Sequence, residues 1–315
     1  MRIAVVGAGA IGGLIAGALA RSGAEVAVVA RGAHLEAIRR HGLAVRSAHL
    51  GDFVAAVEAA PDLRALGSFD AILVTVKSHQ WLPLLEQFAP YAESDTTVAT
   101  FQNGFPFWYY RDKWLESVDP GGRILRTFAY ERLVGGVVHA SGNVVEPGVV
   151  RHLGQWIFPM GAPAGGESAR TRQLAAAFVR AGLVAPVEVE IRRAVWRKLF
   201  GNAALNPVSA LTRATTQTML RDPRTRALIR SIVEECRAVA AASGIDVAES
   251  LEDRVAYIEG LADVKTSMLQ DLEANRPLEL EPIVGAVVEL AARLRVPVPH
   301  LETVYALAKT IEPAG

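Results

Sequence analysis

The chain has 315 residues, 51% of them hydrophobic and 21% charged, which is enough apolar surface for a real core and excludes wholesale disorder. Lysine plus arginine and aspartate plus glutamate each number 33, so the formal net charge is zero and there is no field of one sign to attract nucleic acid or an anionic membrane. One cysteine, Cys236, excludes an internal disulfide and a cysteine-based zinc site and makes the cytoplasm the default compartment. The length suits two ordinary domains.

After Met1 and Arg2, the stretch from Ile3 to Ala20 is uncharged. It ends Ala18-Leu19-Ala20 and spaces Gly9, Gly13 and Gly17 four apart, which superficially resembles a secretory leader or a membrane-helix packing face. Its glycines instead break it into a short β-type run and a helix, so neither targeting nor membrane insertion is expected. Ile3-Ala4-Val5-Val6 suits a buried parallel strand. Gly7-Ala8-Gly9-Ala10-Ile11-Gly12 follows, then a small-residue helix ending near Ser22-Gly23, then a strand over 25–30. This is a βαβ unit of the expected size.

The context makes the glycine pattern informative. Gly7 permits the tight turn, Gly9 lets backbone approach a pyrophosphate, and Gly12 allows close helix–strand packing. The helix N-terminus offers free N–H groups to phosphates. An NAD site usually carries an acid at the end of the second strand. Here the strand ends Val28-Val29-Ala30 and Arg31 follows, so NADP is expected over NAD, a guanidinium matching a 2′-phosphate. The bland alternative for Arg31 is a solvated surface charge.

Further strands are expected over 71–76 and 97–101, with several more between 122 and 158. A helix is expected over 168–181, followed by an extended segment over 183–189. Beyond about residue 190, helical signals dominate. Asp222-Pro223 caps a helix that runs to Ser243-Gly244. Asp263 is expected to cap another through about Asn275, with further helices over 282–295 and 301–311. The fold class is therefore α/β, a dinucleotide-binding domain over 1–189 followed by an all-α domain over 190–315.

Trp196 to Pro207 opens the second region. Lys198, Asn202 and Asn206 are spaced i, i+4, i+8, drifting by about 80° over about 12 Å of helix, so they form one polar stripe on an otherwise apolar helix. Mid-helix asparagine is unfavourable, so two in register need a reason. A solvated face or a buried structural network would also give the pattern. Pro207 disfavours helical geometry at Asn206, which places that residue at the helix end. The run Phe105-Pro106-Phe107-Trp108-Tyr109-Tyr110 reads first as packing, second as an apolar wall beside a ligand. His79 and His139 lack the partners of a catalytic histidine, and Cys236 reads as a buried small residue.

On these residues the chain resembles the ketopantoate reductases. The blocks that carry the likeness are Gly7 to Gly12, Arg31, Thr75-Val76-Lys77, Gln102-Asn103-Gly104, Trp196 to Pro207, Ser267-Met268-Leu269-Gln270-Asp271 and Glu279 to Gly285. The resemblance implies a Rossmann-type N-terminal domain, a helical C-terminal domain and NADPH-dependent reduction of 2-dehydropantoate to pantoate. It implies Lys198 as general acid with Glu279 as its acidic partner. Asn103, Asn202, Asn206 and Ser267 would hold substrate. Gly7, Ala8, Gly9, Ala10, Ile11, Gly12, Arg31, Lys77, Asn103 and a backbone contact from Ala140 would hold NADPH. No metal is called for. The apolar faces of the helical region suit either a homodimer or that region's own core.

The chain departs from the family's frequent pattern at Glu281 and Val284, where aspartate and asparagine are common. It departs again at Val264 and Thr216, near which substrate-contacting asparagines can occur. These positions bear on which 2-oxo acid is accepted, and the same chemistry on another branched or bulky 2-oxo acid is the first alternative. A non-catalytic NADP(H)-binding sensor is the second, although it has no need of Lys198 and Glu279 together.

Overall fold

The computed structural model describes residues 1–313. Its contacts divide the chain into two compact units. The first comprises Met1–Gln102, Trp108–Lys113 and Gly122–Ile191; the second comprises Asn103–Phe107, Trp114–Gly121 and the chain from Arg192 onward.

The first unit is built on two sheets. The larger has the order β11-β8-β7-β6-β1-β2-β5. Its strands are β1 (Arg2–Val6), β2 (Glu25–Val29), β5 (Glu58–Ala60), β6 (Ala71–Val74), β7 (Thr97–Thr100), β8 (Leu133–Gly136) and β11 (Met160–Gly161). All neighbours are parallel except the short β11, which runs antiparallel to β8. Ile3, Ala4, Val5 and Val6 of β1 are at most 1% exposed, the signature of a strand covered on both faces. Helices α1 (Ala10–Arg21), α2 (Gly32–His41), the short α3 (Trp81–Leu84) and α4 (Ala169–Arg180) supply connections and cover. Ser168 caps α4 by accepting from the Thr171 N–H.

A second sheet of order β4-β3-β10-β9 was not legible in the sequence. It consists of β3 (Leu43–Arg46), β4 (Phe53–Ala55), β9 (His139–Glu146) and β10 (Val149–Ile157). This sheet accounts for the four-residue glycine spacing in α1. A Cβ on Gly13 would lie 2.7 Å from Val150 Cγ1, and one on Gly17 would lie 2.5 Å from Val45 Cγ2. The small residues let α1 press onto β10 and β3. The segment expected to be extended over 183–189 forms parallel bridges, Ile157 with Val184 and Met160 with Val187. The aromatic run is packing: Phe105, Phe107, Trp108 and Tyr109 are at most 4% exposed. Trp108 donates its indole N–H to Thr100 Oγ1 at 2.7 Å.

The second unit is helical. Its elements are α5 (Ile191–Thr212), α6 (Thr216–Arg221), α7 (Pro223–Ala242), α8 (Leu251–Glu259), α9 (Ser267–Glu273), α10 (Ala286–Leu294) and α11 (Pro299–Thr310). Asp222 caps α7, its carboxylate accepting from the N–H groups of Arg224 and Thr225. Three expectations need correction. Helix α5 does not end at Asn206 but continues through Pro207. An interior proline costs about 3 kcal/mol. Burial of Val208, Ser209 and Ala210 in the following turn supplies the compensation. Asp263 caps no helix of its own: its carboxylate accepts from the Gln217 N–H, and Thr266 caps the shorter α9 instead. The helix expected from Pro282 opens with a π-type turn over Glu281–Gly285 before α10 begins. Cys236 is fully buried, and burial pushes its thiol pKa far up, so it is an inert core residue. No helix among the described residues is long and apolar enough to cross a membrane.

Candidate active site

In the first unit the glycine turn forms the wall of a cavity of about 360 Å3. It lies at the carboxyl ends of β1 and β2, where the chain leaves β1 towards β2 on one side and later returns as β6 on the other. Open parallel sheets place ligands at such a switch point. The turn is anchored by two bonds to the end of β2, from the N–H groups of Gly7 (3.1 Å) and Ala8 (3.2 Å) to the Val29 carbonyl.

The three glycines of the motif are there for different reasons. Gly7 sits at φ +100°, and its Cβ would lie 2.7 Å from Val76 Cγ1. A Cβ on Gly12 would lie 2.0 Å from the Gly7 carbonyl oxygen and 2.3 Å from Thr75 Oγ1. Both are required by the protein's own packing. Gly9 has an ordinary φ of −67°, and nothing lies within 4 Å of where its Cβ would be. Neither backbone conformation nor packing asks for glycine at this position. A ligand approaching the backbone does, and the residues present therefore fit a pyrophosphate.

Gly7, Ala8, Gly9 and Arg31 line this cavity together with His34, Val76, His79 and Gln80. Arg31 is exposed and stands at the N-terminal boundary of α2, its side chain making no capping bond. Ala10 and Ile11 form the first turn of α1, and Gly12 lies buried behind it. Lys77 is half-buried between Val76 and the lining pair His79 and Gln80, with its N–H on Gln80 Oε1 at 3.1 Å. Ala140 lies on β9 opposite Trp156, in the second sheet, and the cavity wall is built without it.

The second unit gathers the groups with proton chemistry. The apolar flanks of α5, with Trp196, Leu199 and Phe200 at most 1% exposed, fix the helix that carries Lys198. Asn103 precedes Gly104, whose φ is +83° and whose Cβ would lie 2.5 Å from the Pro282 carbonyl carbon and oxygen. The next N–H, that of Phe105, donates to the Pro282 carbonyl at 2.6 Å. Glycine at this position lets the 103–107 segment lie against the π-type turn. Glu279 is held just ahead of that turn between the buried Leu278 and Leu280. The three side chains then form a chain. Lys198 Nζ donates to Asn103 Oδ1 at 2.5 Å, and Asn103 Nδ2 donates to Glu279 Oε2 at 3.2 Å.

Lys198 is half-buried, and the desolvation of its ammonium lowers the pKa to about 8, with the Glu279 carboxylate opposing the shift. The ammonium is still largely charged at neutral pH yet readier to part with a proton than a solvated lysine. Asn202 is half-buried on the same helix. Asn206 is buried, and its Nδ2 has no hydrogen-bond partner in the protein. A buried amide donor without an acceptor is expensive. Ser267 is exposed at the start of α9.

The departures from the family pattern fall into place. Val284 is fully buried in the π-type turn. Glu281 accepts from Tyr305 Oη and Lys309 Nζ, each at 2.9 Å, and a Cβ on Gly285 would strike it at 2.3 Å. Thr216 is buried and spent on the protein. Its hydroxyl donates to the Ala262 carbonyl at 2.7 Å and accepts from the Val264 N–H at 3.1 Å, and its own N–H donates to the Val264 carbonyl. Val264 itself is 51% exposed. The bridging position of Asn103 was not read from the sequence. Its signal is the glycine that follows, which allows the sharp local turn. His34 was also missed, and no pattern in the sequence singles it out.

A recessed ammonium of pKa about 8 suits protonation of a carbonyl under reduction, and an open glycine turn is the bed on which nucleotide-dependent reductases lay their dinucleotide. The class is oxidoreductase. The sequence model described as ketopantoate reductase PanE/ApbA matches residues 3–165, and that described as ketopantoate reductase PanE/ApbA C terminal matches 190–312. The 2-dehydropantoate 2-reductase of Mesorhizobium japonicum is 40% identical over 99% of this chain and 98% of its own. The crystal structure of 2-dehydropantoate 2-reductase from Methylococcus capsulatus superposes with a TM-score of 0.86 at 32% identity, covering 99% of this chain and 96% of the other. A dimeric ketopantoate reductase from Staphylococcus aureus gives a TM-score of 0.77 at 25% identity, over 99% and 98%. The chain belongs to the ketopantoate reductase family.

Proposed function

We propose that this protein reduces 2-dehydropantoate to pantoate with NADPH. The single observation that carries the reading is the hydrogen-bonded chain from Lys198 through Asn103 to Glu279. Bound NADPH supplies the hydride for the 2-oxo carbon. The N–H groups of the turn at Gly7–Gly9 and the start of α1 take the pyrophosphate, and the Arg31 guanidinium takes the 2′-phosphate. Ala10, Ile11 and Gly12 shape that turn, and Lys77 flanks the bed.

As the carbonyl carbon is reduced, its oxygen becomes a developing alkoxide. The Lys198 ammonium stabilises that charge and delivers its Nζ proton to the oxygen, so one hydride and one proton convert the ketone to the alcohol. Asn103 holds Nζ in place between turnovers. Glu279 keeps the lysine charged despite its burial. Asn202, Asn206 and Ser267 orient the substrate's carboxylate and hydroxyl without competing for the proton. The buried Nδ2 of Asn206 supports a polar substrate group at that depth. A homodimer is the assembly that goes with this reading, supported by the dimeric Staphylococcus aureus relative, and solution mass measurement tests it. A cytoplasmic setting rests on the single, buried cysteine.

The test is loss of NADPH absorbance with 2-dehydropantoate beside a panel of other 2-oxo acids. The expected result is a kcat/KM for 2-dehydropantoate well above the rest. A better panel member would move the substrate assignment, and tight NADPH binding without turnover of any substrate would favour a sensor.

A further inference from the structure

His34 stands in the first turn of α2, three residues after Arg31, and lines the cavity. Both ring nitrogens are engaged. The Gly148 N–H donates to Nδ1 at 2.9 Å, so Nδ1 carries no proton and the ring proton is on Nε2. Nε2 lies 2.7 Å from the Ala8 carbonyl oxygen and donates to it. Gly148 is a fixed anchor for this contact. It sits at φ +81° in the turn between β9 and β10, where a Cβ would lie 3.0 Å from the Cβ of Ala37 on α2.

Ala8 is thereby held at both ends, its N–H on the Val29 carbonyl and its carbonyl on His34. A trans peptide is planar, with the carbonyl of one residue and the N–H of the next pointing to opposite sides. Fixing the Ala8 carbonyl therefore fixes the direction of the Gly9 N–H. Gly9 is the one residue of the turn whose missing Cβ faces open space.

We propose that His34 is a positioning residue for the dinucleotide. Through the Ala8 carbonyl it sets the Ala8–Gly9 peptide so that the Gly9 N–H is aimed at the pyrophosphate before the ligand arrives. This inference rests on the assignment of the cavity to NADPH. Preorganised donors bind anions more tightly because no reorientation accompanies binding. The part of His34 that matters is the donor at Nε2; the acceptor at Nδ1 holds the ring.

The experiment is the Kd for NADPH, read by quenching of protein fluorescence without substrate, for the wild type, His34→Ala, His34→Gln and His34→Asn. Glutamine can place an N–H near the Nε2 position, whereas asparagine can replace only the Nδ1 acceptor. The expected result is a Kd raised about five- to tenfold in His34→Ala and His34→Asn, the worth of one hydrogen bond, with most of the affinity restored in His34→Gln. Thermal melting of each variant without ligand separates binding from folding. Should His34→Ala not fold, the glutamine and asparagine pair decides. Equal affinity in those two, or unchanged affinity in His34→Ala, overturns the proposal while leaving the cofactor assignment standing. A wild type that does not bind NADPH removes the cofactor assignment and this inference together.

Discussion

Asn103 receives the Lys198 ammonium on its Oδ1, although 95 positions separate the two residues in the chain. The opposite end of the same amide donates to Glu279, so an uncharged group stands between cation and carboxylate. Glu279 therefore acts on Lys198 through space, raising a pKa that burial has lowered to about 8. Lysine donates a proton only as its ammonium, so kcat/KM is expected to fall as pH rises through the lysine pKa, with an alkaline limb near 8. Glu279→Gln removes the negative charge that raises that pKa, and the limb should move to lower pH. A limb that stays in place would show that Glu279 does not tune Lys198.

The glycine turn makes a prediction in which two similar substitutions part company. Gly9→Ala places a methyl group in open space and should change stability by about 1 kcal/mol or less, the size of an N-cap effect. Its Kd for NADPH should rise at least about tenfold, because the methyl stands where the pyrophosphate approaches. Gly12→Ala drives a methyl into the Gly7 carbonyl and should destabilise by about 3 kcal/mol. Denaturant melts and NADPH titrations of both variants check this; a Gly9→Ala variant with native affinity would contradict the placement of the phosphates.

Arg31 should discriminate between cofactors. It lines the cavity directly after a strand that ends without an acid. Arg31→Ala should weaken NADPH binding about ten- to a hundredfold, the range of a charge-assisted contact, and NADH binding hardly at all. Parallel titrations with the two nucleotides decide it, and equal losses would remove the argument for NADP.

Asn206 makes a prediction on both stability and substrate binding. With its Nδ2 buried and unpartnered, Asn206→Leu should stabilise the ligand-free protein by about 1 kcal/mol. The same change should raise KM for 2-dehydropantoate. A destabilised variant with an unchanged KM would place Asn206 in the core network alone.

The βαβ unit, the cap at Asp222 and the polar stripe of α5 were legible because each is local: periodicity, a capping residue and i, i+4 spacing act within a few turns. The four-stranded second sheet was not legible. It joins β3 to β10, about a hundred residues later, and no local pattern encodes such a pairing. Pro207 misled because a local rule against helix met tertiary burial of the next turn. Asp263 misled because its carboxylate found Gln217 on α6 rather than the helix that follows it. At the site, Lys198 and the asparagines of α5 were visible as a pattern, and Gly9 as part of a motif. The contact of Asn103 with both Lys198 and Glu279 was not, since it depends on the close approach of Gly104 to Pro282.

The most direct measurement is turnover of 2-dehydropantoate by the wild type and by Lys198→Ala, with the Kd for NADPH taken on both. The account predicts that the wild type oxidises NADPH with this substrate, and that the variant loses about a hundredfold or more in kcat while binding NADPH as before. Undiminished turnover in Lys198→Ala would contradict the assignment of Lys198 as proton donor and, with it, the mechanism built on the Lys198–Asn103–Glu279 chain.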